Sequence, residues 1–371
     1  MEGFRELTDN KYFLENLNRE KIVKPTEIQT RSFKYILEGE NIAILSKTGT
    51  GKTLAYLLPL LEKIESEKKD IQIVIIAPTY ELLLQINENI KSLTKGTDIR
   101  SSIIIGNVSI KRQIEKIKEK PHIITASAGR LIELIKAKKI KLHNVKTIVL
   151  DEIDRMVDNN NKSQTESILK SLMKSVQVVS ASATVSKDSV NILKSLGFNS
   201  RTISIENRKK SSSLITHQYI VCDKRDNLKR IKDLSKTKDF KAIIFFNDSN
   251  RMVNLNEKLN YNRIESVYLH GVMKKFEREN SIRKFRSSKA KVLVTSDLSA
   301  RGLDFKNITH VINYTLPKDS KTYLHRTGRT GRAGKSGIAL SLVDKMELKR
   351  YLKMMKELEI EPVEIRKKKS V

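Results

Sequence analysis

Cysteine and tryptophan are nearly missing from this chain of 371 residues, which contains one cysteine, Cys222, and no tryptophan. A single cysteine excludes a disulfide scaffold and a cysteine-rich zinc site, and it is typical of a protein in a reducing compartment. Cys222 ends the strand-like run HQYIVC, where it is expected to be a small buried hydrophobic residue.

Long hydrophobic runs are also absent. No window approaches the roughly 18 uninterrupted apolar residues that a membrane helix needs. The charged N-terminal stretch MEGFRELTDNKYF lacks the apolar segment of a signal peptide. These two absences predict a soluble, cytoplasmic protein.

Acidic residues are few relative to basic ones, since 43 Asp and Glu stand against 72 Lys and Arg and give a net charge of +29. Such a surplus attracts a polyanion at long range, so nucleic acid is the first partner that the composition suggests. The alternative is a general drift toward Lys, Ile and Asn in an AT-rich genome.

The length predicts two domains, each large enough to bury its own core. Short β-branched runs alternate with helical patterns in both halves, and runs that are apolar throughout are typical of strands covered on both faces. We therefore predict an α/β fold of two tandem domains, each a mostly parallel sheet with helices on both faces. A polar, serine-rich stretch divides the chain into domains of 1–206 and 214–371 with a linker of 207–213. The predicted strands are 42–46, 71–79, 99–106, 121–127, 147–152 and 176–184, and then 217–222, 241–246, 264–271, 291–297, 310–317 and 337–344.

A glycine-containing loop connects the first predicted strand to a helical pattern. Such a loop turns backbone N–H groups and the N terminus of the helix toward phosphates. We expect Lys52 to reach the β- and γ-phosphates of a nucleotide and Thr53 to bind Mg2+. The predicted phosphate-binding residues are Ser46, Lys47, Thr48, Gly49, Thr50, Gly51, Lys52 and Thr53.

Two adjacent acids, Asp151 and Glu152, follow a hydrophobic run at the end of a predicted strand. A carboxylate at this edge of the sheet can hold Mg2+ through water, and the next carboxylate can orient or deprotonate an attacking water. We expect Asp151 and Glu152 to have these two roles. The alternative is a solvated turn.

Three arginines, Arg326, Arg329 and Arg332, occur at a spacing of three near the C-terminal end. Several guanidinium groups together can stabilise a dense anionic centre such as a γ-phosphate in transfer. The alternative is an ordinary basic loop.

These segments resemble, in the same order, the motifs of DEAD-box ATP-dependent RNA helicases, and the resemblance covers nearly the whole chain. The matching segments are PTEIQ (25–29, Q motif), SKTGTGKT (46–53, motif I), APTYELL (77–83, motif Ia), DEID (151–154, motif II), SAT (182–184, motif III), IIFFN (243–247, motif IV), TSDLSARGLD (295–304, motif V) and HRTGRTGR (325–332, motif VI).

The resemblance implies two RecA-like domains that close on ATP and single-stranded RNA. It implies an RNA-stimulated ATPase that uses ATP and Mg2+ to unwind short duplexes locally. It also implies largely sequence-independent RNA binding by a monomer, with protein partners for targeting. A nucleotide-gated clamp and a DNA translocase stay open as alternatives.

By the same resemblance, Gln29 would hydrogen-bond the adenine edge and Phe4 would stack on the adenine ring, unless Phe4 is a core anchor of the N terminus. Four residues of the second domain would reach the nucleotide: Gly302 and Asp304 at the ribose and γ-phosphate, and Arg329 and Arg332 as arginine fingers. The residues expected to couple the nucleotide site to domain closure are Asp154, Ser182, Thr184 and His325. The residues expected to contact RNA are Pro78, Thr79, Gly106, Gly129, Arg130, Gly271, Arg278, Thr295 and Asp297.

Departures from the family pattern cluster in the segments that would face RNA. Tyr80 replaces the arginine of motif Ia, Asn107 stands at a usual glycine, Ser127-Ala128 replaces Thr-Pro, and Lys275 replaces a glutamine. The hydrolytic residues thus match the family, whereas the contacts to RNA are expected to differ. The basic surplus is expected to offset the loss of one arginine contact.

Overall fold

The computed structural model describes residues 2–46, 49–106, 108–158, 161–182, 187–205, 214–271, 273–297, 299–300, 303, 305–331 and 335–365. The chain divides into two compact units, Met1–Glu206 and Asn207–Val371. The predicted linker, 207–213, lies outside the described residues. Each unit is built around one sheet.

The first unit contains the strands β1 (Ile42–Leu45), β2 (Ile73–Ile76), β3 (Ser101–Ile104), β4 (Ile123–Ala126), β5 (Thr147–Asp151), β6 (Gln177–Ser182) and β7 (Arg201–Ser204). They form one sheet in the order β3-β4-β2-β5-β6-β1-β7, and each neighbouring pair is parallel. Its helices are α1 (Glu2–Arg5), α2 (Lys11–Arg19), α3 (Glu27–Leu37), α4 (Lys52–Glu62), α5 (Tyr80–Leu93), α6 (Ile110–Lys118), α7 (Ala128–Lys136), α8 (Ile153–Met156), α9 (Lys162–Lys170) and α10 (Lys187–Ser195).

Strand β2 shows why this sheet is covered on both faces. Its four residues are all buried apolar side chains. Ile73 and Ile75 pack in one hydrophobic cluster, whereas Val74 and Ile76 pack in another. Because alternate residues of a strand point to opposite faces, the two clusters lie on the two sides of the sheet. The predicted fold of this half, a parallel sheet between two layers of helices, is confirmed.

The second unit repeats this arrangement. Its strands are β8 (Ile215–Val221), β9 (Ala242–Phe245), β10 (Ser266–Leu269), β11 (Val292–Thr295), β12 (His310–Asn313), β13 (Gly337–Val343) and β14 (Val363–Glu364). They form a parallel sheet in the order β10-β11-β9-β12-β13-β8-β14. Its helices are α11 (Asn227–Leu234), α12 (Ser249–Tyr261), α13 (Lys275–Arg286), α14 (Ser320–Thr327) and α15 (Leu348–Glu357). Ala242 and Ile244 of β9 pack on one face, and Ile243 and Phe245 pack on the other.

Each of the predicted apolar runs overlaps a strand, and β8 begins two residues before its predicted run, but two strands were not predicted. β7 and β14 each lie at the edge of a sheet and pair with one neighbour, β1 and β8 respectively. Arg201 and Thr202 of β7 are exposed, and so are both residues of β14. An edge strand with polar, exposed residues lacks the continuous apolar run on which the prediction rested.

The free cysteine is only partly buried, and its Sγ donates to Oδ1 of Asn227 at 3.2 Å. Among the described helices, none has the length and apolar character that a membrane crossing requires.

Candidate active site

The polar segments of the first unit follow the carboxyl ends of parallel strands, which meet at one edge of the sheet. Ser46 follows β1, Pro78 follows β2 by one residue, Asp151 ends β5 and Ser182 ends β6. The backbone N–H of Ser46 donates to the carbonyl of Ser182 at 3.1 Å, which joins motif I directly to motif III. In open α/β sheets this edge is where ligands bind. Thr184, the other predicted coupling residue of motif III, lies outside the described residues.

The phosphate loop is held by the residues of the Q motif. The hydroxyl of Thr26 donates to the carbonyl of Thr50 at 2.8 Å, and Nε2 of Gln29 donates to the carbonyl of Gly51 at 3.1 Å. Oε1 of Gln29 accepts from the backbone N–H of Thr26 at 2.8 Å. Both ends of the Gln29 amide are therefore bonded within the protein. Its predicted hydrogen bond to adenine stays a prediction.

Gly51 requires glycine both for its backbone conformation and for the space around it. Its φ is +89°, and a Cβ there would lie 2.3 Å from Nε2 of Gln29. Any side chain would be strained by the backbone and would displace the Gln29 amide. Gly49 also has a positive φ, of +83°. Lys47 and Thr48 lie outside the described residues.

Lys52 begins α4 and turns back into the loop. Its Nζ donates to the carbonyl of Ser46, and the Ser46 hydroxyl donates to that of Thr50 at 2.8 Å. The ammonium group thus lies inside the loop that is predicted to surround the phosphates. Its predicted contact with those phosphates stays a prediction.

Asp151 is a buried carboxylate, 4% exposed, at the end of β5. Its Oδ2 accepts from the Tyr56 hydroxyl at 2.8 Å, and its Oδ1 accepts from the backbone N–H of Glu152 at 2.9 Å. Burial and the neighbouring Glu152 carboxylate raise the pKa of Asp151 to about 6, although Tyr56 and Lys52 act in the opposite direction. Burial and the Asp151 charge raise the pKa of Tyr56 well above its ordinary value, so its hydroxyl stays a proton donor.

Glu152 adopts a left-handed backbone conformation, with φ of 53° and ψ of 47°, just before α8. A residue other than glycine costs energy in this region and needs the surrounding structure to hold it there. Oε2 of Glu152 lies 3.2 Å from Nη1 of Arg155 on α8. The next predicted coupling residue, Asp154, is buried. The fold therefore places the two acids of motif II in different surroundings.

Phe4 is 2% exposed and packs in the same hydrophobic cluster as Phe13 and Leu17. This burial matches the alternative interpretation of Phe4 as a core anchor of the N terminus. Stacking on adenine would require a free ring face, and it stays a prediction.

The predicted RNA-facing residues of the first unit lie just after β2, β3 and β4. Thr79 caps α5, because its hydroxyl accepts from the backbone N–H of Leu82 at 3.3 Å. Tyr80, the first residue of α5, is 37% exposed. Arg130 donates through Nη1 to the carbonyl of Val108 at 2.9 Å, so it fixes the loop that follows β3. A Cβ at Gly106 would meet no atom within 4 Å, and one at Gly129 would approach only the Gln164 side chain.

In the second unit, Arg326 is 1% exposed and lies at the centre of a polar network whose acceptors range from the buried Asn313 to the exposed Asn247. Nε and Nη2 donate to the two oxygens of Asp297 at 2.6 and 2.7 Å. The remaining bonds go to the side chains of Asn313 and Asn247 and to the carbonyl of Thr315, at 3.1, 2.7 and 2.7 Å. All five N–H donors of a guanidinium are used. The interpretation of Arg326 as one of three arginines for a γ-phosphate is therefore wrong.

The other predicted residues of the second unit are dispersed around this network. Nη1 of Arg329 donates to the carbonyl of Leu303, and Nη2 of Arg278 donates to the carbonyl of Ser299 at 3.0 Å. His325 is partly buried on α14, Gly271 is exposed after β10, and Thr295 is fully buried at the end of β11. The predicted RNA contact of Thr295 lacks an exposed side chain in this structure. Gly302, Asp304 and Arg332 lie outside the described residues.

Two family models match the chain. The DEAD/DEAH box helicase model matches residues 26–192, and the helicase conserved C-terminal domain model matches residues 223–334. The DEAD-box ATP-dependent RNA helicase CshC of Bacillus cereus is 42% identical over 90% of this chain and 86% of its own length. The chain belongs to the DEAD-box family. It is an ATP-dependent RNA helicase, an enzyme that binds nucleotide and whose ATPase activity is stimulated by RNA.

Other comparisons agree with this family assignment. A probable ATP-dependent RNA helicase, YfmL of Bacillus subtilis, is 40% identical over 94% of this helicase and 93% of its own length. The solved structure of S. cerevisiae Dbp5 bound to RNA and ADP BeF3 is 30% identical, with a TM-score of 0.89 over 98% of this chain and 96% of that chain. The prediction of two tandem RecA-like domains is confirmed.

Sequence reasoning missed two residues of this DEAD-box helicase that the structure ties to its motifs. Tyr56 donates to Asp151, and Asn247 accepts from Arg326. Tyr56 follows Thr53 by three positions on α4, a spacing that brings two side chains to the same face of a helix. That spacing was the available signal. For Asn247, which ends the IIFFN segment, the signal was its place one residue after the buried strand β9.

Proposed function

We propose that this enzyme binds ATP with Mg2+ at the loop 46–53 and single-stranded RNA at the edge of the sheets. It then uses ATP hydrolysis to unwind short RNA duplexes locally. The observation that supports this most directly is the buried Asp151 carboxylate beside the phosphate loop. Asp151 is close enough to Lys52 for the ammonium charge to lower its pKa, while burial and Glu152 raise it. A buried acid in this position is stabilised by a bound cation.

The residues present fit Mg2+. Thr53 and Asp151 supply the oxygen ligands that this ion prefers. No group of three or more acidic, His or Cys side chains that could hold a metal occurs in the described part of the chain. The remaining oxygens would therefore come from the nucleotide and from water, as is usual for magnesium at phosphates. When bound, the ion neutralises charge on the phosphates.

Lys52 would exchange its bond to the Ser46 carbonyl for the β- and γ-phosphates. Glu152, fixed by its left-handed backbone, is the proposed base that orients and deprotonates the attacking water. Arg329 and Arg332 are the proposed arginine fingers that stabilise charge on the γ-phosphate in transfer. Gly302 and Asp304 would contact the ribose and the γ-phosphate, and the predicted coupling residues would link these contacts to closure.

RNA binding is proposed to be largely independent of sequence, because backbone phosphates are the natural target of a chain with a net charge of +29. The proposed contacts are Pro78, Thr79, Gly106, Gly129, Arg130, Gly271, Arg278, Thr295 and Asp297. Thr295, whose side chain is fully buried, would take part only through its backbone. We also propose that the enzyme acts as a monomer in the cytoplasm, since its single cysteine suits a reducing compartment.

ATP turnover with and without RNA tests this function. Lys52→Ala should weaken ATP binding, whereas Glu152→Gln should bind ATP and RNA but fail to hydrolyse, and so hold both in a long-lived complex. Lys170→Ala, an exposed lysine at the end of α9, is the matched control and should behave like the wild type. Single-stranded DNA of the same sequence should stimulate less than RNA. Wild-type turnover by Glu152→Gln would contradict the role of Glu152, and equal stimulation by DNA would contradict the choice of RNA.

A further inference from the structure

One buried hydroxyl donates a hydrogen bond to Asp151, one of the two residues that are proposed to bind Mg2+. Tyr56 has no exposed surface. Its hydroxyl donates to Oδ2 of Asp151 at 2.8 Å, and the Thr53 side chain, one turn earlier on α4, lies close enough to oppose the rise in the pKa of Tyr56. Tyr56 therefore joins α4, which begins at the phosphate loop, to the carboxylate at the end of β5.

Packing alone does not account for this hydroxyl. The Tyr56 ring lies in the hydrophobic cluster that also contains Ala55, Leu57 and Leu58. A phenylalanine would fill the same space without bringing a polar group into the core, where each polar group needs a partner. The hydroxyl therefore does more than fill volume, because it donates a hydrogen bond to Asp151.

The hydrogen bonds fix the Asp151 carboxylate without using all of its acceptor capacity. Oδ1 accepts from the N–H of Glu152, and Oδ2 accepts from Tyr56. Each carboxylate oxygen has about two acceptor positions, so one on each oxygen stays available for a metal ion or its water. The carboxylate is held in one orientation by two donors from different elements, α4 and the start of α8.

We propose that Tyr56 is a positioning residue that holds the Asp151 carboxylate in the orientation that binds Mg2+. Groups that hydrogen-bond metal ligands orient them, and removing such a group typically lowers metal affinity by about 10–100-fold. The inference rests on the proposed Mg2+ site. It adds a residue that touches neither the metal nor the nucleotide.

The test is the variant Tyr56→Phe in the full chain, with ADP bound. Mn2+ serves as the probe because its binding can be followed by electron paramagnetic resonance without any turnover. The dissociation constant of Mn2+ should rise about tenfold. The affinity for a fluorescent ADP analogue in excess EDTA should stay within about twofold, because Tyr56 contacts no part of the nucleotide in the proposed site. A purely structural role of the hydroxyl would shift both measurements together or neither.

Tyr323→Phe is the matched control. Tyr323 is also completely buried, and its hydroxyl is hydrogen-bonded to Nδ1 of His217 at 2.8 Å in the second unit. The substitution Tyr323→Phe removes a comparable buried hydroxyl and should leave Mn2+ binding unchanged. Tyr56→Leu, which lacks both ring and hydroxyl, is the second variant if Tyr56→Phe does not fold, and it should show the same shift.

The possible outcomes are distinct. Unchanged Mn2+ binding by folded Tyr56→Phe overturns the inference, and so does tighter binding, since the hydroxyl would then compete with the metal. A wild-type protein that binds the ADP analogue but no Mn2+ contradicts the proposed metal site itself. If neither Tyr56 variant folds while Tyr323→Phe does, Tyr56 is primarily a core residue and the inference is wrong.

Discussion

Replacing Arg326 by alanine should destabilise the second unit strongly. Its guanidinium donates five hydrogen bonds to Asp297, Asn313, Asn247 and Thr315, and it has almost no contact with solvent. Its carbon atom Cζ also lies 5.1 Å from the centre of the Phe245 ring. Alanine would leave a charged acceptor and three neutral acceptors without their donor, next to a new cavity.

The size of the effect follows from the pair with Asp297. Removing one partner of a buried ion pair costs about 3–5 kcal/mol, chiefly because the other charge stays behind unpaired. Asp297 is not fully buried, since 35% of its side chain is exposed, so water reduces this part. The three neutral hydrogen bonds contribute about 0.5–1.5 kcal/mol each. We therefore expect a loss of about 4 kcal/mol, a large part of the roughly 5–15 kcal/mol that holds a typical domain together.

Urea unfolding of the full chain, followed by circular dichroism, measures this loss. Arg350→Ala provides the control, because Arg350 forms an exposed pair with Glu347 at 3.4 Å, with side-chain exposures of 51% and 37%. Such surface pairs contribute about 1 kcal/mol at most. A loss for Arg326→Ala no larger than that of Arg350→Ala would refute the view that the Arg326 network stabilises the unit. Asp297→Asn removes the charge and replaces one of the two acceptor oxygens by an NH2 donor, but it leaves the bonds of Arg326 to Asn313, Asn247 and Thr315 in place. It should therefore lose less stability than Arg326→Ala.

Three further predictions concern the first unit. The pKa of Asp151 is raised to about 6, so the folded state binds the proton of this carboxyl group more tightly than the unfolded state does. The stability that Asp151 contributes is therefore present at acid pH and is lost as the pH rises to about 6. In the proposed site the metal binds the carboxylate form of Asp151, so Mn2+ affinity should weaken about tenfold from pH 7 to pH 5 once binding to free nucleotide is subtracted. An unchanged affinity would contradict the raised pKa. Gly51→Ala should weaken ADP binding, because its Cβ would displace the Gln29 amide. Gly197→Ala is the control and should only lower the melting temperature, since Gly197 has a φ of +87° but no atom within 4 Å of its Cβ. Equal ADP affinity in both variants would contradict the Gln29 contact. Tyr80→Arg should steepen the dependence of RNA affinity on salt by about one phosphate contact, a slope change of about 0.7, and an unchanged slope would mean that residue 80 does not face a phosphate.

The strands that could be predicted from the sequence are those buried on both faces of the sheet, where each side chain has to be apolar. The runs around Ile73–Ile76 and Ala242–Phe245 are apolar throughout because each strand meets a hydrophobic cluster on either side. β7 and β14 escaped prediction because an edge strand is held mainly by backbone hydrogen bonds, to which any residue contributes equally. In β7 (Arg201–Ser204) only Ile203 is buried, so the sequence contains one apolar residue that could indicate a strand there.

In the candidate site, too, residues marked by a local sequence pattern could be predicted, whereas their distant partners could not. The positions of Ser46, Asp151 and Ser182 at one edge follow from parallel strands, and the loop pattern is specific enough to mark Lys52 and Thr53. The partners of these residues could not be predicted from the sequence. Gln29 binds the backbone of Gly51, and Tyr56 binds Asp151 at a distance of 95 positions in the sequence. A contact made by an ordinary residue type at long range leaves no local pattern, so only the folded chain reveals it.

Arg326 shows where sequence spacing itself misleads. Arg326 and Arg329 are separated by the same three positions as Arg329 and Arg332, which suggested one shared role. The end of α14 breaks this equivalence, because the helix stops at Thr327 and Gly328 is its cap. Arg326 is therefore a helical residue whose side chain is buried, whereas Arg329 follows the helix and donates to the carbonyl of Leu303. A repeat in sequence implies a repeat in space only while the backbone conformation is constant, and here the glycine that ends α14 separates a buried structural arginine from the proposed arginine fingers.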